Sequence, residues 1–572
     1  MSRFQTGNGY PIAACCVRRE CICTPITAAS TAETRFPRPA VTPHPSPHRR
    51  FVPCTRRAPC PARKPARMTL SQQKTFDQWL AAAASLRIEA RAFINGQYVN
   101  ARSGKTFHTR SPIDGRTLAD VADCGQQDVD EAVAAAQRAF EARNWSGRTP
   151  AQRKQVLLRL AALIEQHQEE LALLESLDSG KTIRESLDMD MQDVALAFRY
   201  YAEAIDKRHD LIAPTGDGFH GMITREPIGV VAGMTPWNNP LMIAAWKIAP
   251  TLACGNSMVF KPSEKAPLTA IRLGQLARDA GLPDGVLNIV PGAVEVGQAL
   301  ALHPHVGALT FTGSSTVAKQ LLVHSGNSNM KRLVLEGSGK NAHIVFADTP
   351  DLAKAARFAA LGFCANQGEV CASGTRLFVE NPIKEAFLQL LAQEVEHWTP
   401  GHPLDPAATM GALIDEGHLD RVKRYVDSAV AEGARLLSGG ERILSATGGT
   451  YFPPTIIADA TRGMTAVREE IFGPVVTVLG FDTEEEVIAL ANDSEYGLTA
   501  GFWTPDVTKV HRVARQLQAG TVWVNHFLTR DILSPFGGYK QSGFGRDLSL
   551  LAMDQYTEIK STWIALGDVA GH

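Results

Sequence analysis

From Pro227 onward the chain alternates short apolar runs with helix-length segments, and this alternation restricts the fold more than any other feature. Gly229–Met234 reads as a strand, Pro240–Leu252 as a helix, Ser257–Phe260 as a strand and Leu268–Ala280 as a helix. Val286–Val290 and Ala308–Phe311 are further strands. A second series runs from strand Ala342–Phe346 through helix Asp351–Phe363, strand Arg376–Val379 and helix Ile383–Glu396 to strands Val475–Leu479 and Thr521–Val524. Strands that alternate with helices build parallel β-α-β units, because a parallel neighbour is reached only through a crossover. The expected class is therefore α/β, with a doubly wound sheet. No internal repeat is visible.

Before Pro227 the pattern is mixed. Met68–Leu86 is helix-like. Phe93–Val99 and Lys105–His108 flank turn residues and read as one hairpin. Asp128 is placed at a helix start with Glu131 at N3, and Val129, Val133, Ala136 and Phe140 form its apolar face. Thr149-Pro150 marks another start, with Gln152 at N3. Leu157, Leu160, Ile164, Leu171 and Leu174 keep helical spacing behind it.

Charge and cysteine usage divide the chain near Met68. Residues 1–67 hold 12 Lys and Arg, 2 Asp and Glu, 11 prolines and six of the 10 cysteines. So little apolar periodicity cannot bury enough surface to fold alone. The expectation is that Met68 is the natural start and that 1–67 is an over-extended reading frame or a disordered extension. The remainder is net acidic, which argues against a body that coats nucleic acid. Only Cys124, Cys254, Cys364 and Cys371 follow residue 67, too few for a disulfide framework. A reducing, cytoplasmic compartment is expected. The most apolar region, Pro227–Phe260, is broken by Pro236, Pro240, Pro250 and Lys247, so no membrane span is expected.

Seven short motifs carry candidate chemistry. Cys371 lies in Asn366-Gln367-Gly368-Glu369-Val370-Cys371, between a helix and a strand, where a thiol is either an exposed nucleophile or a small buried hydrophobe. Trp237-Asn238-Asn239-Pro240 follows a strand, where an Asn amide either meets an oxyanion or fixes a turn. Lys261-Pro262-Ser263-Glu264 follows the next strand and suits ribose hydroxyls or a solvated charge pair. Thr312-Gly313-Ser314 permits close backbone approach before a helix N-terminus that would hold phosphate. The G-x-G-x-x-G fingerprint is missing. Glu336-Gly337-Ser338 offers a general base or a loop charge. Glu470-Ile471-Phe472 and Pro535-Phe536-Gly537-Gly538 are each weak alone.

In this order and spacing the motifs resemble the NAD(P)-dependent aldehyde dehydrogenase superfamily over Phe93–Leu566. Lys261–Ala266, Gly326–Arg332, Ile344–Leu352, Gly401–Met410 and Gln541–Leu548 look most like the γ-glutamyl-γ-aminobutyraldehyde dehydrogenases of putrescine catabolism. The resemblance implies Cys371 as nucleophile, Asn238 with the Cys371 N–H as oxyanion hole, and Glu336 as general base. Lys247 occupies the position of a lysine sometimes assigned to a proton relay. Lys261, Glu264, Gly313, Ser314, Trp237, Glu470 and Phe472 are implied cofactor contacts. Asn239, Trp246, Arg530, Asp531 and Phe536 fall where the family lines its substrate tunnel. There Asp531 would meet an ammonium and Arg530 a carboxylate, unless the two simply pair with each other.

The implied reaction oxidises an aldehyde to an acid with NAD, dual use of NADP staying open. Glu264 favours NAD because a carboxylate there repels a 2′-phosphate. Broad-specificity, betaine-type and CoA-acylating enzymes, or a non-catalytic relative, are the alternatives. No metal site is expected. The implied domains are a cofactor domain at 68–335, a catalytic domain at 336–541 and a C-terminal segment at 542–572. A hairpin near 209–228 and a strand near 557–566 would together form an oligomerisation element for a homodimer or tetramer. Four departures from the family stand out: Gly337-Ser338 after the base, expected to loosen the base or reshape the loop; Glu369 for Gln; Ala318 for Gly; and Asp547 for Glu.

Overall fold

Residues 69–567 are described by the computed structural model, so the readings of 1–67 and of Met68 lie outside the described residues. The first β-α-β series builds an eight-stranded sheet. Its spatial order is Gln97–Val99, Ala92–Ile94, Leu287–Ile289, Ser257–Lys261, Val230–Met234, Ala308–Thr312, Arg332–Glu336 and Gly543–Phe544. The central strands pair in parallel, and antiparallel strands close both edges. Every residue of Val230–Met234, Ser257–Lys261 and Ala308–Thr312 is buried, as expected where both faces of a parallel sheet are covered.

The second series builds a seven-stranded sheet. It runs Arg435–Ser438, Thr455–Ala458, Val475–Phe481, Arg376–Glu380, Ala342–Val345, Thr499–Trp503 and Thr521–Val524, and only the first pair is antiparallel. A third, antiparallel sheet joins Thr557–Ala565 to Phe219–Pro227 and Leu211–Ala213. Helix Pro240–Ala253 is buried along its whole length. It starts with Pro240 at a position where the missing N–H costs nothing, and it carries Trp246 and Lys247 inward.

Three local readings change. Phe93–Val99 and Lys105–His108 do not pair with each other. Ala92–Ile94 turns back on Gln97–Val99 through Asn95 and Gly96, both at positive φ, while Thr106–Arg110 pairs with Thr117–Ala122. The Asn-Gly pair is itself a tight hairpin signal. Asp128 is not the start of its helix: Gln126–Glu141 begins after Gly125, and Asp128 reaches back from N3 to the Gly125 N–H at 2.9 Å. Its carboxylate also takes the Arg102 N–H, a tertiary bond that local spacing could not reveal. Among the described residues of the Met68–Leu86 run, the α-helix covers Phe76–Ala84, where Thr75 and Gln78 form a capping box, and a short 3-10 turn at Ser71–Gln73 precedes it. At Thr149 the expected capping box is present, with Thr149 N to Gln152 Oε1 at 2.9 Å and Gln152 N to Thr149 Oγ1 at 3.3 Å. Among the described residues no helix is long and apolar enough to cross a membrane.

Candidate active site

The order of the first sheet reverses at Val230–Met234, and ligands of open α/β sheets bind beyond the carboxyl ends of strands at such a reversal. A cleft of about 330 Å³ lies there, lined by Trp237, Lys261, Glu264, Gly313 and Ser314 among others. A cavity of about 190 Å³ shares Trp237, Gly313 and Ser314 with it and continues to Asn238, Cys371 and Glu470. One path therefore leads from the strand ends to the thiol.

The outer part suits a dinucleotide. Ser314 is the N-cap of helix Ser315–Gly326, and its hydroxyl accepts the Val317 N–H at 3.3 Å, so the positive end of that helix borders the cleft. Lys261 is buried but reaches only the Pro262 carbonyl at 3.2 Å and Glu264 Oε2 at 3.4 Å. Burial pushes its pKa down, and its long bonds leave donor capacity toward the cleft. Trp237 is wedged edge-on between the rings of His418 and Phe472, each 5.2 Å away. His418 donates from Nε2 to the Phe472 carbonyl at 2.6 Å, and burial lowers its pKa to about 4, so the imidazole is neutral. Phe472 itself sits at φ +62°. Glu470 accepts the Gly339 N–H at 2.8 Å.

Cys371 follows a turn that the backbone resists. Asn366, Gln367 and Gly368 have φ of 47°, 55° and 72°, and single L-residues there are already uncommon. A Cβ on Gly368 would stand 2.2 Å from the Gly473 carbonyl oxygen. The surroundings hold the turn in place. Asn341 Nδ2 donates to the Cys371 carbonyl at 2.7 Å and to the Ser373 carbonyl at 2.9 Å, while its Oδ1 accepts the Thr499 N–H at 3.0 Å. The Asn366 side chain donates to the Asn238 carbonyl at 2.8 Å, and Asn238 Nδ2 donates to the Glu369 carbonyl at 2.6 Å. An amide nitrogen has two hydrogens, so Asn238 keeps one for a ligand.

The half-buried Cys371 Sγ lies 3.5 Å from Glu336 Oε1. Thr312 Oγ1 holds the other Glu336 oxygen at 3.2 Å. Burial pushes the thiol well up, and the Glu336 and Glu470 carboxylates add to it. Burial and the nearby Asp547 carboxylate push Glu336 up in turn, while Lys247 opposes them. Lys247 and Asp547 form a buried ion pair at 2.5 Å. The loop after Glu336 is clamped: the Gly337 N–H donates to the Ser542 carbonyl at 2.8 Å and the Ser338 N–H to Ser315 Oγ at 3.0 Å. A Cβ at Gly337 would stand 2.6 Å from Ser315 Oγ, so Gly fits what a larger residue would not. Burial drives Glu369 well above the usual carboxylate range, which favours the neutral acid, an isostere of Gln. Ala318 is buried in its helix.

The substrate expectations need revision. Trp246, Arg530 and Asp531 do line one small cavity of about 90 Å³, together with Asp193, which the sequence reading missed. Arg530 does not pair with Asp531. It donates from Nε and Nη2 to Asp193 Oδ2 at 2.9 and 2.6 Å, because helix Met191–Ala204 brings Asp193 across from a distant part of the chain. The Asp531 carboxylate accepts the Leu533 N–H at 2.8 Å and has no cationic partner among the described residues. Asn239 does not line this cavity; its Oδ1 is turned to the buried Lys181 Nζ at 2.6 Å. Phe536 also stands outside the lining and packs edge-on against Trp246 at 6.0 Å. Asn341 was missed as well. Its only sequence signal is a polar residue heading an apolar strand.

With this geometry described, the comparisons with known proteins are direct. The aldehyde dehydrogenase family model matches residues 98–562. The chain belongs to the aldehyde dehydrogenase family. It is 51% identical over 489 residues to the NADP/NAD-dependent aldehyde dehydrogenase PuuC of Escherichia coli K12, across 85% of this chain and 98% of that protein. A crystal structure of γ-glutamyl-γ-aminobutyraldehyde dehydrogenase from Burkholderia cenocepacia superposes with a TM-score of 0.85 at 50% identity, covering 86% of this chain and 100% of that one. A mutant of the P. syringae indole-3-acetaldehyde dehydrogenase AldA, in complex with NAD+ and IAA, superposes with a TM-score of 0.86 at 52% identity over the same shares.

The mutual effect of Cys371 and Glu336 has a definite sign. Glu336→Gln removes a negative charge that disfavours the thiolate, so Cys371 should ionise at lower pH. Iodoacetamide alkylation of Cys371, followed by peptide mass spectrometry across pH, should show the inflection moved downward in the variant.

Proposed function

We propose that this chain oxidises an aldehyde to the carboxylic acid with NAD+, and in part NADP+, through a thioester on Cys371. The observation that carries this reading is the Cys371–Glu336 pair, 3.5 Å apart where the cleft ends. The first sheet holds the dinucleotide and the second supplies the nucleophile. Lys261 and Glu264 would hold the adenosine ribose, the start of helix Ser315–Gly326 the pyrophosphate, and Glu470 the nicotinamide ribose.

The Cys371 thiol loses its proton to solvent, and the thiolate attacks the carbonyl carbon. The free hydrogen on Asn238 Nδ2 and the Cys371 N–H meet the oxyanion. A bound nicotinamide supplies the hydride acceptor for collapse to the thioester. Glu336 then takes a proton from water as the hydroxide adds to the acyl carbon and the thiolate leaves. Lys247, paired with Asp547 beside Glu336, opposes the rise that burial and Asp547 impose on that carboxylate. The balance is aldehyde, water and NAD+ to acid, NADH and a proton. A base held this close favours water over CoA as acyl acceptor.

The proposed substrate class is an amino aldehyde of the γ-glutamyl-γ-aminobutyraldehyde type. Asp531, which lines the small cavity and has no cationic partner among the described residues, favours a distal ammonium, and Arg530, already bonded to Asp193, would share its guanidinium with a carboxylate beside it. The Trp246–Phe536 pair favours an aromatic aldehyde as the second reading. A homodimer or tetramer is proposed as well. Strand Thr557–Ala565 has a free edge, and Ile559 and Trp563 on it are 69% and 60% exposed.

In rapid mixing with NAD+ and aldehyde, Glu336→Gln should form about one NADH per site and then turn over at least 100-fold more slowly, in line with removal of a general base. Cys371→Ser should form none, and full turnover by it would overturn the reaction assigned here. Across a panel of aldehydes, Asp531→Asn should lower kcat/KM for amino aldehydes by about fivefold relative to indole and aliphatic aldehydes, the worth of an exposed ion pair of about 1 kcal/mol. Equal effects across the panel would favour the aromatic reading. Ile559→Lys with Trp563→Glu should yield a smaller species by light scattering after size exclusion.

A further inference from the structure

Gly180, at φ +79°, ends helix Gln168–Ser179, and a Cβ there would stand 2.4 Å from the Ala412 carbonyl oxygen. This turn sends the side chain of Lys181 into the interior, where it is 1% exposed. Its ammonium meets Asn239 Oδ1 at 2.6 Å, the Asp190 carboxylate, and Glu175 Oε1 at 3.9 Å. Burial pushes Glu175 up, and Lys181 is the main group opposing that shift. One lysine thus serves several buried acceptors that no sequence motif connects.

The Asn239 contact is the informative one. Asn239 is the N-cap residue of helix Pro240–Ala253, and Asn is among the best N-caps because its side chain takes a free helix N–H. Here it makes no such bond. Glu175 Oε2 instead accepts the Leu241 N–H at 3.3 Å, and the Asn239 oxygen faces the lysine. A charge-assisted bond is stronger than a neutral cap, so Lys181 wins the competition for this oxygen. Asn238, one residue earlier, is then held on three sides. Asn366 Nδ2 bonds its carbonyl, the Glu369 carbonyl takes its amide, and Lys181 anchors the residue that follows it. Glu185 completes the frame by accepting the Asn366 N–H at 2.8 Å.

We propose that Lys181 is a positioning residue for oxyanion stabilisation: through Asn239 it sets the direction in which the Asn238 amide points. This rests on the reading of Asn238 as oxyanion donor. Without the ammonium, Asn239 is free to swing back and cap its helix, and the peptide between the two asparagines turns with it. A displacement of the donor by about 1 Å lowers the rate roughly 10- to 100-fold.

The test uses the full chain and three variants. Lys181→Met removes the ammonium. Asn239→Leu removes the acceptor and leaves Lys181 with Asp190 and Glu175, which keeps the protein folded should the first variant fail. Asn238→Ala tests the oxyanion reading itself. Reactive sites are counted by alkylation of Cys371, and rates per site are measured for aldehyde oxidation and for hydrolysis of p-nitrophenyl acetate. For Lys181→Met and Asn239→Leu, both per-site rates should fall together by about 10- to 100-fold, with NADH affinity within about twofold of the parent. Fewer sites at an unchanged per-site rate would mean a structural role only and would overturn the proposal. A loss in Asn238→Ala with none in Asn239→Leu would overturn it too. Undiminished ester hydrolysis by Asn238→Ala would remove the oxyanion reading, whatever Lys181 does.

Discussion

The left-handed turn at Asn366–Gly368 is the constraint around which the molecule is arranged. Three consecutive positive-φ residues cost free energy that the turn cannot recover from its own bonds. The compensation comes from four separate stretches of chain. Glu185 takes the Asn366 N–H, Asn238 takes the Asn366 side chain, Asn341 bridges the carbonyls of Cys371 and Ser373, and Gly473 crowds Gly368. These contacts hold the turn from outside, and Cys371 inherits its position from it.

Burial of carboxylates is the second consequence of that arrangement. Glu336, Glu369, Glu175 and Glu185 are all pushed up, chiefly by loss of water. Two lysines, Lys247 and Lys181, are buried among them. Each lysine stands beside a carboxylate next to a group with a proposed chemical role: Lys247 with Asp547 near Glu336, and Lys181 with Asp190 near Asn239. A charge buried without its partner costs several kcal/mol, so these lysines hold geometry as well as charge. That cost also explains why Glu369 is tolerated where an amide would be expected.

Much of the fold was legible because parallel strands buried on both faces read as unbroken apolar runs. Thr521–Val524 agrees residue for residue, and Val230–Met234 and Ser257–Lys261 agree to within a residue. The Thr149 cap was legible for a similar reason, since its bonds span three residues. Asp128 was misplaced because Gly125, with no side chain to signal a cap, starts the helix. The first hairpin was misread because two tight turns lie close together and alternation alone does not say which strands pair. In the candidate site, motifs marked the strand ends and the thiol. Partners drawn from far along the chain were invisible: Asp193 to Arg530, Asn341 to Cys371, and Lys181 to Asn239.

By itself the amino-acid order determined the class of fold, the family resemblance and the identity of the thiol and carboxylate that face each other. The fold class follows from local periodicity, which short stretches encode, whereas the thiol and carboxylate were implied by the family resemblance, since each motif alone left a structural alternative open. Only the tertiary structure decided which charges meet. Arg530 turned from its sequence neighbour Asp531 to Asp193, and Asn239 turned from its helix to Lys181. The physical reason is that an ion pair or a charge-assisted bond is settled by distance in space and by the exclusion of water, and neither is a property of neighbouring residues along the chain.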